Sequence, residues 1–429
     1  MNLTIVMLSI ASLLSFFGVI YAIDFWLLIL SVFIIKKKPL KTEVNNCWPK
    51  VSIHIPLYNE ENVAARVLTA CLNLDYPKDK MEIIVVDDSN DETTKIIRKF
   101  KEEHPDLIKI IHRSSREGFK AGALQLALKA SSGEIIALFD ADHVPSRSFL
   151  KKLIPYLLAD ENIAFIQAKF DYLNLKNSWI AKFVSIGLEF HNMINLNGRN
   201  KLNFISHFKG GGGIFKKSVL EKIGGWQSDT LAEDLDLSIR LFLAGKKGVY
   251  ISETACLEEI PEKLLDLIKQ QQRWVKGFAQ CFKKHFFAII KNKKLSFIKK
   301  IDALIYLSTC LAYPLGLFGL IFGFIFSQFF PQNFILINLF KNYILTFNFG
   351  ASILSYSALL TGMSLTLSLN SKNINMVLKK SLYAIGLISI LMPILLVTNS
   401  IAVIEGFIKK KHVFYRTKKT GKAVIINEF

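Results

Sequence analysis

The sequence predicts an α/β domain built on a Rossmann-like sheet and inserted between membrane-spanning helices. Three observations carry this. Hydrophobic residues make up 51% of the 429-residue chain, and the excess is concentrated before residue 36 and after residue 300. The stretch between has an ordinary soluble composition, in which short apolar runs alternate with segments of helical periodicity. Several of those runs end in carboxylates, at the edge where open α/β sheets gather ligands.

The membrane segments come first. Thr4 to Ile35 carries one charge, Asp24, and is longer than the roughly 20 residues needed to cross a bilayer. No basic residue precedes it and no small-residue cleavage pattern follows before Lys36-Lys37-Lys38, so it reads as a retained span and not a cleaved leader. Residues 1–38 are therefore assigned to an N-terminal transmembrane helix, with Asp24 near an interface or facing protein. After residue 300, the blocks Ala303–Phe326, Phe347–Leu369 and Leu382–Ile404 are each long enough to span, and Phe334–Phe340 is a shorter, interfacial candidate. This gives an amphipathic or interfacial segment plus about three spans over 291–410, and a basic tail over 411–429.

A net charge of +19 raises the question of nucleic acid. Many of the basic residues flank the membrane segments, at Lys36–Lys41, Lys291–Lys300 and Lys409–Lys419, which points to anionic lipid headgroups of a bilayer and not to nucleic acid. The same asymmetry places the middle domain on the cytosolic side of an integral, multi-pass protein, in the plasma membrane if the source is prokaryotic. It asks for the basic tail there too, whereas three C-terminal spans would leave the tail opposite. A missed span, re-entry at the Pro393 segment, or a hairpin that includes Phe334–Phe340 would each reconcile the two. The five cysteines form no CxxC pair and have no histidine at ligand spacing, so they read as reduced and structural.

Within residues 50–290, Val51–Pro56 is a β-branched run followed by helical spacing from Glu61 to Leu72. Glu82-Ile-Ile-Val-Val-Asp-Asp88 is a continuous apolar run stopped by two acids, as in a buried parallel strand, and a helix follows from Glu92 to Glu103. Ile108–His112 and Glu134–Phe139 add two strands around a helix at Ala121–Ala130. Tyr58, Asn59, Glu60, Asp87, Asp88, Asp140 and Asp142 then sit at strand ends. No GxGxxG or GxxxxGK[ST] loop is present, which disfavours dinucleotide oxidoreductases and P-loop ATPases.

Asp140 and Asp142 stand two apart at the end of a strand, pointing the same way, and are suited to one hard cation, Mg2+ or Mn2+, bridging a diphosphate. His143 is either a third metal contact or a turn residue. Asp87 and Asp88 offer a carboxylate to a base or ribose, and a helix cap near Asp91 is the alternative. Lys120, near the start of a helix after Arg116-Glu-Gly-Phe, is placed to touch a diphosphate unless it is a solvated loop lysine. Asp234, flanked by Glu233 and Asp236 as supports, is the candidate base that takes a proton from an acceptor hydroxyl. Gln270, Arg273 and Trp274 share a helical face, where a guanidinium pairs with a departing diphosphate and an indole stacks on a sugar. A membrane-surface helix with a Trp anchor explains the same face. The Gly210–Gly213 run permits close approach of an acceptor chain or forms a flexible turn.

In order, the Asp-Asp strand end, Asp140-Ala-Asp142, Ala232-Glu-Asp234 and Gln270-Gln-Gln-Arg-Trp274 resemble the D, DxD, [TA]ED, QxxRW series of family 2 processive glycosyltransferases. Glu117-Gly-Phe-Lys-Ala-Gly-Ala-Leu124, Gly224-Gly-Trp226 and Glu259-Ile-Pro261 are similar to the cellulose-synthase-like mannan and glucomannan synthases. The resemblance spans about residues 50 to 290 and implies a GT-A catalytic fold, a divalent metal on Asp142 with Asp140 nearby, Asp234 as base, and Trp274 at the mouth of a polymer channel. It implies a nucleotide-sugar donor, GDP-mannose or UDP-glucose, and a growing β-linked glycan as acceptor. Ala232 replaces the commoner Thr, and Gly211-Gly212 stands where these synthases usually carry a small polar residue after the first Gly. A transferase that adds one sugar to ceramide, dolichol phosphate or diacylglycerol is the alternative, and QxxRW favours the chain builder. A non-enzymatic transporter or scaffold is disfavoured because no motif acid is missing.

Overall fold

The computed structural model describes residues 3–36, 48–329, 343–369, 374–408, 417 and 419–422. Eight strands, β1 (Val51–Leu57), β2 (Met81–Asp87), β3 (Ile108–His112), β4 (Ile135–Leu138), β5 (Val144–Pro145), β6 (Ile163–Tyr172), β7 (Gly213–Lys216) and β8 (Lys247–Glu258), form one sheet in the order β3-β2-β1-β4-β7-β6-β8-β5. The first four run parallel. β7 is antiparallel to both β4 and β6, and β8 pairs with β6 in parallel. The carboxyl ends of β1, β2 and β4 thus share one rim.

The apolar runs are continuous because helices cover both faces of this half of the sheet. Ile83 and Val85 of β2 join Val67, Leu68 and Cys71 of the helix Ala64–Leu72 in the main core. Ile84 and Val86 point the other way, onto Ala123 and Ala127 of the helix Phe119–Ala130. A change of register by one residue would only exchange two buried sets, so the carboxylate terminators and not alternation mark where β2 ends.

Four helical segments are long and apolar enough to cross a membrane: Ser9–Ile34, Phe297–Ile325, Thr346–Ser368 and Ser389–Ile408. Phe334–Phe340 lies outside the described residues. The helices Leu3–Ile34 and Tyr343–Leu369 run parallel, since Asn348 reaches Ser12 (3.5 Å), Ser355 Oγ donates to Gly18 O (3.3 Å), and Gly362 packs near Ile29. Met363 and Leu367 then touch Ile186 of the α/β domain.

The helix Ile374–Ile408 begins beside that same end, with Ser381 Oγ 3.5 Å from Ser364 Oγ. It finishes along the helix Leu264–Lys291, where Lys276 pairs with Glu405 (2.8 Å) and Lys283 donates to Phe407 O (2.7 Å). Both of its ends therefore lie on the α/β side, and residues 419–422 return to that domain.

Asp24 faces protein. Its carboxylate meets Arg199 Nη2 at 2.9 Å, and Asp302 of the helix Phe297–Ser308 closes on Nη1 of the same guanidinium. Arg199 is 1% exposed, so this pair of ion contacts fastens the domain to two membrane helices from inside.

Candidate active site

A cavity of about 210 Å³ opens at the rim where β1, β2 and β4 end. Asp88, Lys120, Asp140, Asp142, Glu233, Asp234, Gln270, Arg273 and Trp274 all line it. The motif acids are thus gathered in one cleft and not scattered.

The two acids that close β2 divide. Asp87 is fully buried and does not line the cleft. Its carboxylate accepts from Ser89 N (2.9 Å) and Thr94 Oγ1 (2.7 Å), with His112 Nδ1 at 3.1 Å. It fixes the turn and the start of the helix Thr93–Glu103, so of the two acids only Asp88 faces the cleft. Asp88 lies on the cleft wall in a two-point contact with Arg113, whose Nε donates at 2.6 Å and whose Nη2 also meets the carboxylate.

The Asp140–His143 turn continues β4. His143 Nδ1 accepts from Asp140 N (3.0 Å), which commits that nitrogen to shaping the turn, while Nε2 faces Glu258 at 3.9 Å. His143 is therefore a turn residue on its Nδ1 side. A Cβ at Gly211 would sit 2.5 Å from His143 Cε1, which explains glycine at this position. Asp142 accepts from Glu259 N (2.8 Å) and from Lys419 Nζ (2.7 Å). Burial alone would raise its carboxyl, but the Lys419 ammonium, His143 and the Glu259 N–H more than offset this and hold it at about 2.

Lys120 Nζ contacts Asp140 Oδ1 at 2.6 Å, Gly210 O at 2.9 Å and Glu233 Oε1 at 3.8 Å. It joins the Asp140 turn to the Glu233–Asp234 pair. Those two neighbouring acids differ. Burial, with the Asp234 charge beside it, pushes Glu233 up to about 7. Asp234 is also pressed upward by burial, yet His207, Lys120 and the Leu235 N–H (2.8 Å) hold it below the usual carboxylate range. At 4.0 Å, His207 Nε2 acts on Asp234 through space and not by a hydrogen bond. One acid is thus ionised and the other poised, a division suited to proton transfer.

Asp236, expected as a support in the site, points elsewhere. It is fully buried and meets Arg240 Nε (2.8 Å), Lys284 Nζ (2.7 Å) and His285 Nε2 (2.7 Å), tying the helix Glu233–Leu243 to the helix Leu264–Lys291. The same two helices touch where a Cβ at Gly277 would fall 2.6 Å from Ala232 Cβ. This close seating brings Gln270, Arg273 and Trp274 to the cleft that Asp234 lines. Gln270 Oε1 is buried with no hydrogen-bond partner among the described residues, and Trp274 is 37% exposed.

Some contacts in the cleft were not foreseen. The Arg116 guanidinium stacks 3.2 Å over the Tyr58 ring. Lys209 Nζ bonds Asn192 Oδ1 (3.1 Å) and lies 4.6 Å from the Phe170 ring centroid. Glu258, pushed up to about 7 by burial, faces the Asp142 turn. Lys419, read from sequence as part of a lipid-facing basic tail, instead reaches Asp142 and donates to Glu259 O (2.6 Å). Thr420 N donates to the Glu259 carboxylate at 2.9 Å and Gly421 N at 3.2 Å.

Among the described residues no group of three or more His, Cys, Asp or Glu is arranged to hold a metal. Two carboxylates are what Mg2+ or Mn2+ asks of a protein when phosphate and water supply the remaining ligands. Asp140 and Asp142 each already attract an ammonium, from Lys120 and Lys419, so these hard oxygens fit a cation.

A family profile described as "Glycosyltransferase like family 2" matches residues 49–277. Glucomannan 4-beta-mannosyltransferase 9 of Arabidopsis thaliana is 32% identical over 279 residues, which is 63% of this chain and 52% of that protein. The probable glucomannan 4-beta-mannosyltransferase 11 of Oryza sativa subsp. japonica is 33% identical over 261 residues, 59% of this chain and 46% of the relative. The chain thus spans about half the length of the curated relatives it matches. Among solved structures, a mannosyltransferase from Pyrobaculum calidifontis in complex with GDP-Man and Mn2+ superposes with a TM-score of 0.57 at 21% identity, covering 94% of this chain and 100% of that one.

Proposed function

Because the chain belongs to glycosyltransferase-like family 2, we propose that it is a membrane-integrated, inverting hexosyltransferase that extends a β-linked polysaccharide of the β-1,4-(gluco)mannan kind from GDP-mannose or UDP-glucose. The α/β domain has the mixed sheet of GT-A transferases. We assign residues 50–290 to the cytosolic catalytic domain, 1–38 to the entering span and 291–410 to the interfacial and membrane helices. Two crossings, through Phe297–Ile325 and Thr346–Ser368, return the chain to the domain's side.

The observation that carries the reading is that Asp140, Asp142, Glu233 and Asp234 line one cleft together with Arg273 and Trp274. Asp234 takes the proton of the acceptor hydroxyl as that oxygen attacks the anomeric carbon from the face opposite the nucleotide. Asp88 receives the base or ribose, and Lys120 and Arg273 balance the charge of the departing diphosphate. Gln270 presents its open carbonyl to the acceptor, and Trp274 stacks on the acceptor sugar at the cleft mouth. Asp140 and Asp142 would hold Mg2+ or Mn2+, which would supply further positive charge to the leaving group.

Incubating the purified chain in lipid nanodiscs with labelled GDP-mannose or UDP-glucose tests this. The expected product is an ethanol-insoluble polymer, with Asp234→Asn reducing transfer by roughly 10²–10⁴-fold while folding is retained. Exclusively chloroform-soluble product would replace the polymer reading with transfer to a lipid, and an Asp234→Asn enzyme of full activity would end the assignment of the base.

A further inference from the structure

A second cavity, of about 170 Å³, lies away from the active cleft. Four lysines, Lys246, Lys247, Lys294 and Lys299, line it against one acid, Asp160. That acid is engaged by Lys247 at 3.4 Å, and Lys246 reaches only the Glu161 carbonyl, also at 3.4 Å. Lys294 and Lys299 have no carboxylate within ion-pair reach among the described residues. Ser206 forms part of the wall. It is 6% exposed, and its Oγ has no hydrogen-bond partner among the described residues. A buried hydroxyl without a partner is costly unless something fills the space in front of it.

The position of the cavity limits what that something is. Lys299 stands in the first turn of the helix Phe297–Ser308, where the membrane-length segment Phe297–Ile325 begins. Its chain neighbours Phe297 and Ile298 are 76% and 65% exposed, an apolar surface next in sequence to the basic wall of the cavity. A ligand with an anionic, acceptor-rich head and an apolar body satisfies both surfaces at once. The head takes charge from Lys294 and Lys299 and a hydrogen bond from Ser206, and the body lies along Phe297 and Ile298 into the bilayer. We infer that this cavity binds the phosphate headgroup of an anionic phospholipid and so seats the domain on the membrane surface. The inference rests on the membrane placement of Phe297–Ile325 and not on the transfer reaction.

The full chain, purified in neutral detergent, is titrated with short-chain phosphatidylglycerol, short-chain phosphatidylcholine and inorganic phosphate, and thermal stabilisation is read. Phosphatidylglycerol is expected to stabilise the wild type selectively. Lys294→Gln/Lys299→Gln is expected to weaken that binding roughly 25-fold, at about fivefold for each basic residue near an anionic surface. Ser206→Ala weakens it severalfold, and Lys291→Gln/Lys293→Gln, an equal loss of charge on the adjoining surface, leaves it nearly unchanged. Equal effects of the two double variants, or equal binding of phosphatidylcholine, would overturn the site. Inorganic phosphate as effective as the lipid would reassign it to a free anion and overturn the lipid. Carbonate extraction of membranes is run in parallel. A chain released by carbonate refutes the membrane placement itself, whereas a retained chain without phosphatidylglycerol preference refutes only the site.

Discussion

Arg199 holds the α/β domain to its membrane helices, and removing its charge is the sharpest perturbation of the architecture. Its guanidinium is fully enclosed, with Asp24 and Asp302 on the two terminal nitrogens, Asn195 Oδ1 3.1 Å from Nε and the Tyr306 ring 4.3 Å from Cζ. In Arg199→Leu the two carboxylates face each other out of water with no cation between them. Breaking a buried ion pair by removing one partner costs about 3–5 kcal/mol, a fall in melting temperature of roughly 3–6 °C for a chain of this length. The measurement is thermal unfolding of the purified protein in detergent, compared with the triple variant Asp24→Asn/Arg199→Leu/Asp302→Asn. Neutralising all three removes the uncompensated charge, so the triple variant should recover most of the loss, a non-additivity expected only for groups in direct contact. A single variant that melts with the wild type, or a triple variant no better than the single, would refute the reasoning.

Chelation of divalent metal, or Asp142→Ala, should lower nucleoside diphosphate release by at least about 10²-fold, with Mn2+ restoring the chelated wild type but not the variant. Unaltered release under chelation would remove the metal from the proposal. Gly277→Ala drives a methyl to 2.6 Å from Ala232 Cβ, lifting the helix that carries Arg273 and Trp274; overpacking costs about 1–3 kcal/mol, and kcat should fall more than melting temperature, which kinetics beside a thermal scan would show. Glu82, bonded to Ser52, Ser132 and Lys109, has its carboxyl lowered to about 2 although burial works against this. Its contribution to stability is therefore present above about pH 4.5 and lost as pH falls toward 2, so Glu82→Gln should flatten the acid limb of the stability curve.

The parallel half of the sheet was legible because residues such as Ile83 to Val86 are buried on both faces and form an unbroken apolar run. The other half was not foreseen. β6 carries Gln167 and Lys169, and β8 includes Glu253 and Thr254, so neither shows a clean period, and their pairing is set by contacts far apart in the chain. The same distinction runs through the cleft. Asp140, Asp142 and Asp234 announce themselves by local spacing, whereas no local pattern separates Asp87 from Asp88. That division depends on Thr94 and His112 turning toward one and Arg113 toward the other. Asp236 looked like its acidic neighbours, and only the position of Lys284 and His285 on a later helix assigns it to fastening. Lys419 lies 277 positions from Asp142, beyond any local reading.

The parallel run of Leu3–Ile34 and Tyr343–Leu369 has a consequence for how the chain is routed. With the two helices oriented alike, the chain comes back toward the α/β domain, and residues 419–422 reach the cleft. Ser12, Gly18, Asn348 and Ser355 lie where these two helices touch, so the seam between them is closed by direct contact.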